Sequence, residues 1–204
     1  MLDREIPNED CGNIQEYDCA ESGNSEPFLW FLKEQKTVKQ QFCKSESVEV
    51  CKFEIKVFEK EDIDRVITFE KELRDQEPDT YYWDPDETYK RQLKQSFEDE
   101  RFHTAMSFIA VKEDKVIGRI DASLIISRSD ASCFSAYLDW ICVLKSERHQ
   151  RIAQALLDAL REECKKQGVG VLIALMANND EAQSFYKSIK NASIHDTGIW
   201  IDIK

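Results

Sequence analysis

One stretch constrains this chain more than any other. Residues 137–157, YLDWICVLKSERHQRIAQALL, switch from the pattern of a buried strand to that of an apolar helix across a short basic segment. The helix pattern runs on through REECKKQG to Gly168, a natural helix stop, and VGVLIAL follows as a nearly continuous apolar strand. Strand, helix and strand in that order predict a parallel crossover, which puts a helix over one face of a sheet. The polar turn between such a strand and its helix is where α/β sheets bind ligands. Here that turn holds Lys145, Arg148, His149 and Arg151. The start of a helix already carries positive partial charge, so cations there are unfavourable without a partner. An anion seated on the free backbone N–H groups would reconcile them. The other reading is a solvated surface cluster that Glu147 partly offsets.

The rest of the chain supplies the remaining elements. VCKFEIKVF alternates as a strand, and EKEDIDRVITFEKELRDQ places Ile63, Val66, Ile67 and Leu73 at helical spacing. PDTYYWDPDET reads as a loop and residues 87–99 as a second helix, with Tyr89, Leu93 and Phe97 on one side. MSFIAVKEDKVIGRIDASLII predicts two strands joined at Glu113–Lys115. NDEAQSFYKSI predicts a short helix and IHDTGIWIDI a final strand. The expected fold class is therefore α/β: a mixed, mostly antiparallel central sheet with one parallel β-α-β crossover and helices on both faces. Residues 46–204 form this domain. Residues 1–45 read as a polar N-terminal extension with one helix over 26–42, where Phe28, Leu29, Phe31, Leu32 and Val38 form a stripe.

Charge and cysteine usage narrow the function. A formal net charge of −12 argues against broad nucleic-acid binding, which needs a basic face, and fits a cationic small substrate better. No run of 18 apolar residues exists, so no membrane span is expected. Seven scattered cysteines without a secretion signal predict reduced thiols and a cytoplasmic protein. Their spacing does not match a structural zinc site, and no metal is expected. Cys142, on a strand, reads as an inert buried thiol, and His103, His149 and His195 are too dispersed to suggest nucleophilic chemistry.

At this point the sequence resembles the GNAT superfamily of acyl-CoA-dependent N-acetyltransferases, over roughly residues 52–202. The family's pyrophosphate loop reads Gln/Arg-x-x-Gly-x-Gly/Ala; Arg148-His149-Gln150-Arg151-Ile152-Ala153 matches its first and last positions. Asn179, Ala182 and Tyr186 fall at the family's Asn, Ala and Tyr spacing, and Asp139 lies four residues before Val143, where the family often carries an acid. Two features depart: Arg151 replaces the loop's first Gly, and SIKNAS replaces the Gly-Phe that usually follows the Tyr helix. A glycine there admits the pyrophosphate to the backbone; an arginine either obstructs it or reaches a phosphate.

The resemblance implies acetyl-CoA as cosubstrate and direct transfer of its acetyl group to a primary amine. It implies Asp139 as the base that deprotonates the amine, with Asp121 as second candidate, and Tyr186 as the acid that protonates the leaving thiolate. It implies that the loop residues 148–153, with Asn179 and Ala182, hold the cofactor, and that Ile141, Cys142 and Val143 pair with its pantetheine arm through their backbone. For Asp139 a solvated strand carboxylate is the competing reading, and for Tyr186 a core aromatic beside Phe185. Tyr82, Trp83 and Asp84, together with Asp121, are candidate acceptor-binding residues, since aromatics mixed with carboxylates suit a cationic amine. Residues 137–186 are also similar to aminoglycoside 3-N-acetyltransferases, and YDCAESGNSEPFLWFLKEQ resembles the opening of toxin-type GNAT enzymes that act on aminoacyl-tRNA. The alternative is a GNAT-fold CoA-binding or regulatory protein whose loop has decayed at Arg151. A homodimer is compatible with either.

Overall fold

A computed structural model describes residues 53–81, 83–126, 134–195, 198–199 and 201–203. The N-terminal helix expected over 26–42 and the loop SRSDAS lie outside these residues. The described chain forms a five-stranded sheet in sequential order: β1 (Glu54–Val57), β2 (Ala105–Lys112), β3 (Lys115–Ile125), β4 (Phe134–Val143) and β5 (Val169–Ala174). The first four strands pair antiparallel, and β4 pairs parallel with β5. Helices α1 (Ile63–Gln76) and α2 (Glu87–Ser96) follow β1; α3 (Ile152–Lys166) is the crossover between β4 and β5; α4 (Asp180–Lys187) follows β5.

Local chemistry explains these elements. In α1, Ile63, Val66, Ile67, Glu70 and Leu73 are all buried, so the apolar stripe at helical spacing carries one glutamate inward. Asp62 precedes it, buried, and pairs with Lys56 and Arg65. Burial alone would raise the Asp62 carboxyl, but hydrogen bonds from Lys56 and Arg65 prevail and hold it below the usual range. Asp86 caps α2 by accepting from the Tyr89 N–H at 2.8 Å. The β2–β3 hairpin turns on Glu113 and Asp114, both in the left-handed region that a two-residue turn requires. Gly168, at φ 71°, ends α3.

The strand register assigns the faces. Across an antiparallel pair, opposed residues share a face. Gly118, Ile120 and Ala122 oppose Val143, Ile141 and Leu138 and face α3, where Ile152, Leu156 and Leu160 are buried. A Cβ on Gly118 would lie 3.1 Å from Leu156 Cδ1 and 3.2 Å from Ile152 Cγ2, so this glycine lets the first turns of α3 approach the sheet. The other face carries Arg119, Asp121 and Ser123 opposite Cys142, Trp140 and Tyr137. It packs against α1 and α2.

One expectation fails. Residues 194–203 are not a strand at their described positions; Ile194, Ile199, Ile201 and Ile203 are exposed. Alternating β-branched residues favour an extended backbone but need a partner strand and a buried face to hold it, and β5 is the edge of the described sheet.

Candidate active site

Two irregularities in β4 shape the site. First, Asp121 opposes Trp140 while Ala122 opposes Leu138, so Asp139 is an extra residue in β4, a bulge. The bulge brings Tyr137 and Trp140, three residues apart, onto one face. Second, the pairing with β5 stops at Leu138 and Ala174, although β4 continues to Val143. From Asp139 onward the β5 side of β4 is an open edge. Ile141, Cys142 and Val143 lie along it; Cys142 and Val143 have buried side chains. Burial pushes the Cys142 thiol well up, which keeps it protonated and unreactive.

The open edge leads to the start of α3. No side chain caps this helix, and its first turn contains no acid. Its first backbone bond runs from Ala155 N–H to the Arg151 carbonyl, 3.0 Å, so the N–H groups of Ile152, Ala153 and Gln154 precede the ladder. Arg151 adopts φ 63°, ψ 20°, the left-handed conformation that a glycine would take at no cost. Its side chain is exposed. His149 is also left-handed, at φ 65°, and exposed. Among the described residues no carboxylate pairs with Lys145 or Arg151. Gln150 donates to Glu147 Oε2 at 3.0 Å.

Arg148 behaves differently. Its Nη1 donates to Glu181 Oε2 at 2.6 Å and to Glu77 Oε1 at 3.1 Å, its Nη2 pairs with the other Glu77 oxygen, and its Nε reaches the Val143 carbonyl at 3.3 Å. Two carboxylates thus pair with the guanidinium at the first position of the loop. Asn179 is likewise committed: its Oδ1 accepts from the Ala182 N–H at 2.8 Å and caps α4. The Asn-x-x-Ala spacing is thus the spacing of a helix cap.

On the α1–α2 face, Asp139 is exposed and accepts from Ser123 Oγ at 2.7 Å. Its carboxyl is raised, first by desolvation against the sheet and also by the Asp121 charge; the Ser123 bond opposes both. Asp121 is tied to Arg119, whose Nη2 donates to it at 3.2 Å. The buried Arg119 also meets buried Glu70 at 2.5 Å, and Glu70 accepts from Tyr89 Oη at 3.0 Å and Trp83 Nε1 at 3.1 Å. Trp83, Tyr81 and Trp140 form an aromatic wall, with ring centroids 4.8–5.5 Å apart. Tyr186, on α4, has its phenol raised by burial and then by the nearby Tyr137. Asp84 makes an exposed pair with Arg74 at 2.9 Å, on the loop that carries Trp83. Tyr82 lies outside the described residues.

Asp139, Asp121 and Trp83 thus share one face, and Tyr186 adjoins it through Tyr137. The sequence places Tyr81 in the same aromatic loop as Trp83, but gives no site role to Trp140, Glu70, Arg119, Glu77 or Glu181. For Glu70 a signal existed, a glutamate on the apolar stripe of α1; Glu77 and Glu181 gave none.

Residues 68–189 match the family model described as acetyltransferase (GNAT) family. The chain belongs to the GNAT acetyltransferases. No curated protein matches it in sequence. Solved GNAT structures share its fold at low identity. An aminoglycoside acetyltransferase from an uncultured soil metagenomic sample, in complex with sisomicin, is 17% identical with TM-score 0.62, over 74% of this chain and 97% of that one. AAC(6')-Iy in complex with the bisubstrate analogue CoA-S-monomethyl-acetylneamine is 17% identical with TM-score 0.59, over 75% and 99%. A ribosomal-protein-alanine N-acetyltransferase from Brucella melitensis biovar Abortus 2308 is 16% identical with TM-score 0.58, over 74% and 99%. This GNAT protein is therefore an acyltransferase, of a family that uses acetyl-CoA. Among its described residues no helix is long and apolar enough to cross a membrane, and no cluster of metal-ligating side chains occurs.

Proposed function

We propose that this GNAT enzyme transfers the acetyl group of acetyl-CoA to a primary amine of a small, cationic substrate. The observation that carries the reading is the continuity of two open features: the unpaired edge of β4 from Asp139 to Val143, and the uncapped start of α3 at its end. Amide groups along a strand edge pair with an extended amide chain as an added strand would. Uncapped N–H groups at a helix start favour a phosphate. The residues present fit acetyl-CoA on both counts: Ile141, Cys142 and Val143 for the pantetheine amides, and the backbone of Gln150, Arg151, Ile152 and Ala153 for the pyrophosphate, with Lys145 and Arg151 adding charge and His149 beside them.

When bound, acetyl-CoA supplies the acetyl thioester. Asp139 then takes the proton of the acceptor ammonium, a role its raised carboxyl suits, because a base with a higher pKa accepts a proton more readily. Tyr186 donates a proton to the departing sulfur; its raised phenol keeps that proton at neutral pH. Trp83, with Tyr81 and Trp140, supports an aromatic wall for a cation, and Asp139, Asp121 and Asp84 add negative charge to that side. Two solved relatives in fold carry aminoglycoside-type molecules, and this aminopolyol class enters here as a proposal.

Calorimetry with acetyl-CoA and with CoA, followed by thiol release over a panel of polyamines and aminoglycosides, tests the reading. We expect micromolar binding of both and turnover with at least one polycation. Binding without turnover on any primary amine would overturn the acceptor assignment, and failure to bind either thioester or thiol would overturn the cofactor assignment.

A further inference from the structure

Arg148 occupies the first position of the cofactor loop, yet its guanidinium serves three other elements. It holds the Val143 carbonyl at the end of β4, Glu77 at the end of α1 and Glu181 in the first turn of α4. Glu77 is itself fixed, because its N–H bonds to the carbonyls of Leu73 and Arg74 at 3.1 and 3.2 Å. By contrast α4 is lightly held. None of its residues is buried, and Phe185, Tyr186 and the following Ile189 are only partly covered. We infer that the Glu77–Arg148–Glu181 cluster is a clamp that sets the position of α4 against the end of β4, and thereby makes Arg148, Glu77 and Glu181 positioning residues for Tyr186.

The geometry supports this division of labour. Glu181 and Tyr186 are five residues apart on one helix, so a shift at the first turn is passed to the phenol as a rigid-body movement. Displacements of about 1 Å cost a transfer reaction about a hundredfold when they misalign a reacting group. Charge supports it as well: two carboxylates on one guanidinium leave the cluster net negative, which disfavours a phosphate beside it. Phosphate binding then falls to the α3 backbone, Lys145 and Arg151. The clamp also separates position from stability. The Glu181 side chain is 57% exposed, and exposed ion pairs contribute little to folding.

This inference rests on Tyr186 acting as the proton donor, and the test keeps the two apart. E181Q removes one arm of the clamp. D180N removes a charge from the same first turn without touching Arg148, which controls for the helix dipole. We expect E181Q to lower kcat about tenfold. Acetyl-CoA affinity should stay within about twofold, and hydrogen exchange should quicken over residues 180–187. D180N should change none of these. In a Tyr186→Phe background E181Q should cost nothing further, because both changes remove one contribution. Additive losses in that cycle would overturn the clamp. So would an E181Q protein that binds acetyl-CoA more tightly, for that would mean Arg148 had been released to grip phosphate. If the wild type releases no thiol but exchange over α4 still quickens in E181Q, the clamp stands and the catalytic reading falls. Unchanged exchange and unchanged kcat in E181Q, with an active wild type, reject the clamp alone.

Discussion

At the scale of single residues, Arg151 holds a conformation its side chain disfavours. A non-glycine residue in the left-handed region costs roughly 1 kcal/mol. Arg151 sits there at φ 63°. The loop therefore keeps a backbone shaped for a glycine while carrying an arginine. Arg151→Gly should stabilise the fold by about 0.5–1 kcal/mol, read as a higher urea midpoint with an unchanged slope, and should leave acetyl-CoA binding measurable. Complete loss of binding would mean that the guanidinium itself holds a phosphate. Asp139 offers a second test. Desolvation, then the Asp121 charge, raises its carboxyl. A base with a raised pKa loses activity as pH falls through that pKa, so kcat/KM should drop on the acid side. Asp139→Asn should abolish that limb and lower the plateau about a hundredfold. Stability runs the other way. A carboxyl raised in the fold contributes most when protonated, and that contribution is lost as pH rises through the folded pKa. Asp139→Asn should therefore cost no stability at neutral pH, which separates a catalytic loss from an unfolded protein in a thermal melt.

Among the secondary-structure elements, the first turns of α3 are placed by what β3 lacks. Gly118 opposes Val143, and an added Cβ would stand 3.1–3.2 Å from Leu156, Ile152 and the Cys142 carbonyl. Leu156 and Ile152 are buried, so neither has open space to move into. Gly118→Ala should lift the start of α3 by a few tenths of an ångström, destabilise by about 1–3 kcal/mol and weaken acetyl-CoA more than it weakens the acceptor. An unchanged dissociation constant for acetyl-CoA would place the phosphate elsewhere. The elements themselves were largely legible: α1, α3 and the β2–β3 hairpin carry strong hydrophobic periods or a two-residue turn between alternating runs. The bulge at Asp139 was not legible, because YLDWICV is apolar at both parities and an inserted residue leaves no gap in the pattern. The clamp was not legible either, since Arg148 meets Glu77 and Glu181 from 71 and 33 residues away. The final strand misled in the opposite direction. Its alternation was clear, but alternation does not supply a neighbour.

Over the whole molecule, the proposed reaction brings together two ligands of opposite charge. The chain carries 40 acidic and 28 basic residues, so its distant field repels acetyl-CoA and attracts a polyamine. The exposed cations Lys145 and Arg151 stand at the start of α3, while Asp139, Asp121 and Asp84 stand on the α1–α2 side. These fields have different ranges. At 0.1 M salt the screening length is about 10 Å, so the distant repulsion of acetyl-CoA is lost before the short contacts at the helix start are. The attraction of a polyamine to the whole-chain charge is also of the long-range kind and is lost with it. Raising ionic strength from about 0.01 to 0.2 M should therefore raise KM for a tetra-amine several-fold and for a mono-amine much less. The dissociation constant of acetyl-CoA should move little, because lost repulsion and lost attraction offset one another. An acceptor KM that ignores both salt and the number of amino groups would remove the cationic substrate class. It would leave the acetyltransferase itself intact, because the open edge of β4 and the start of α3 make no demand on the charge of the acceptor.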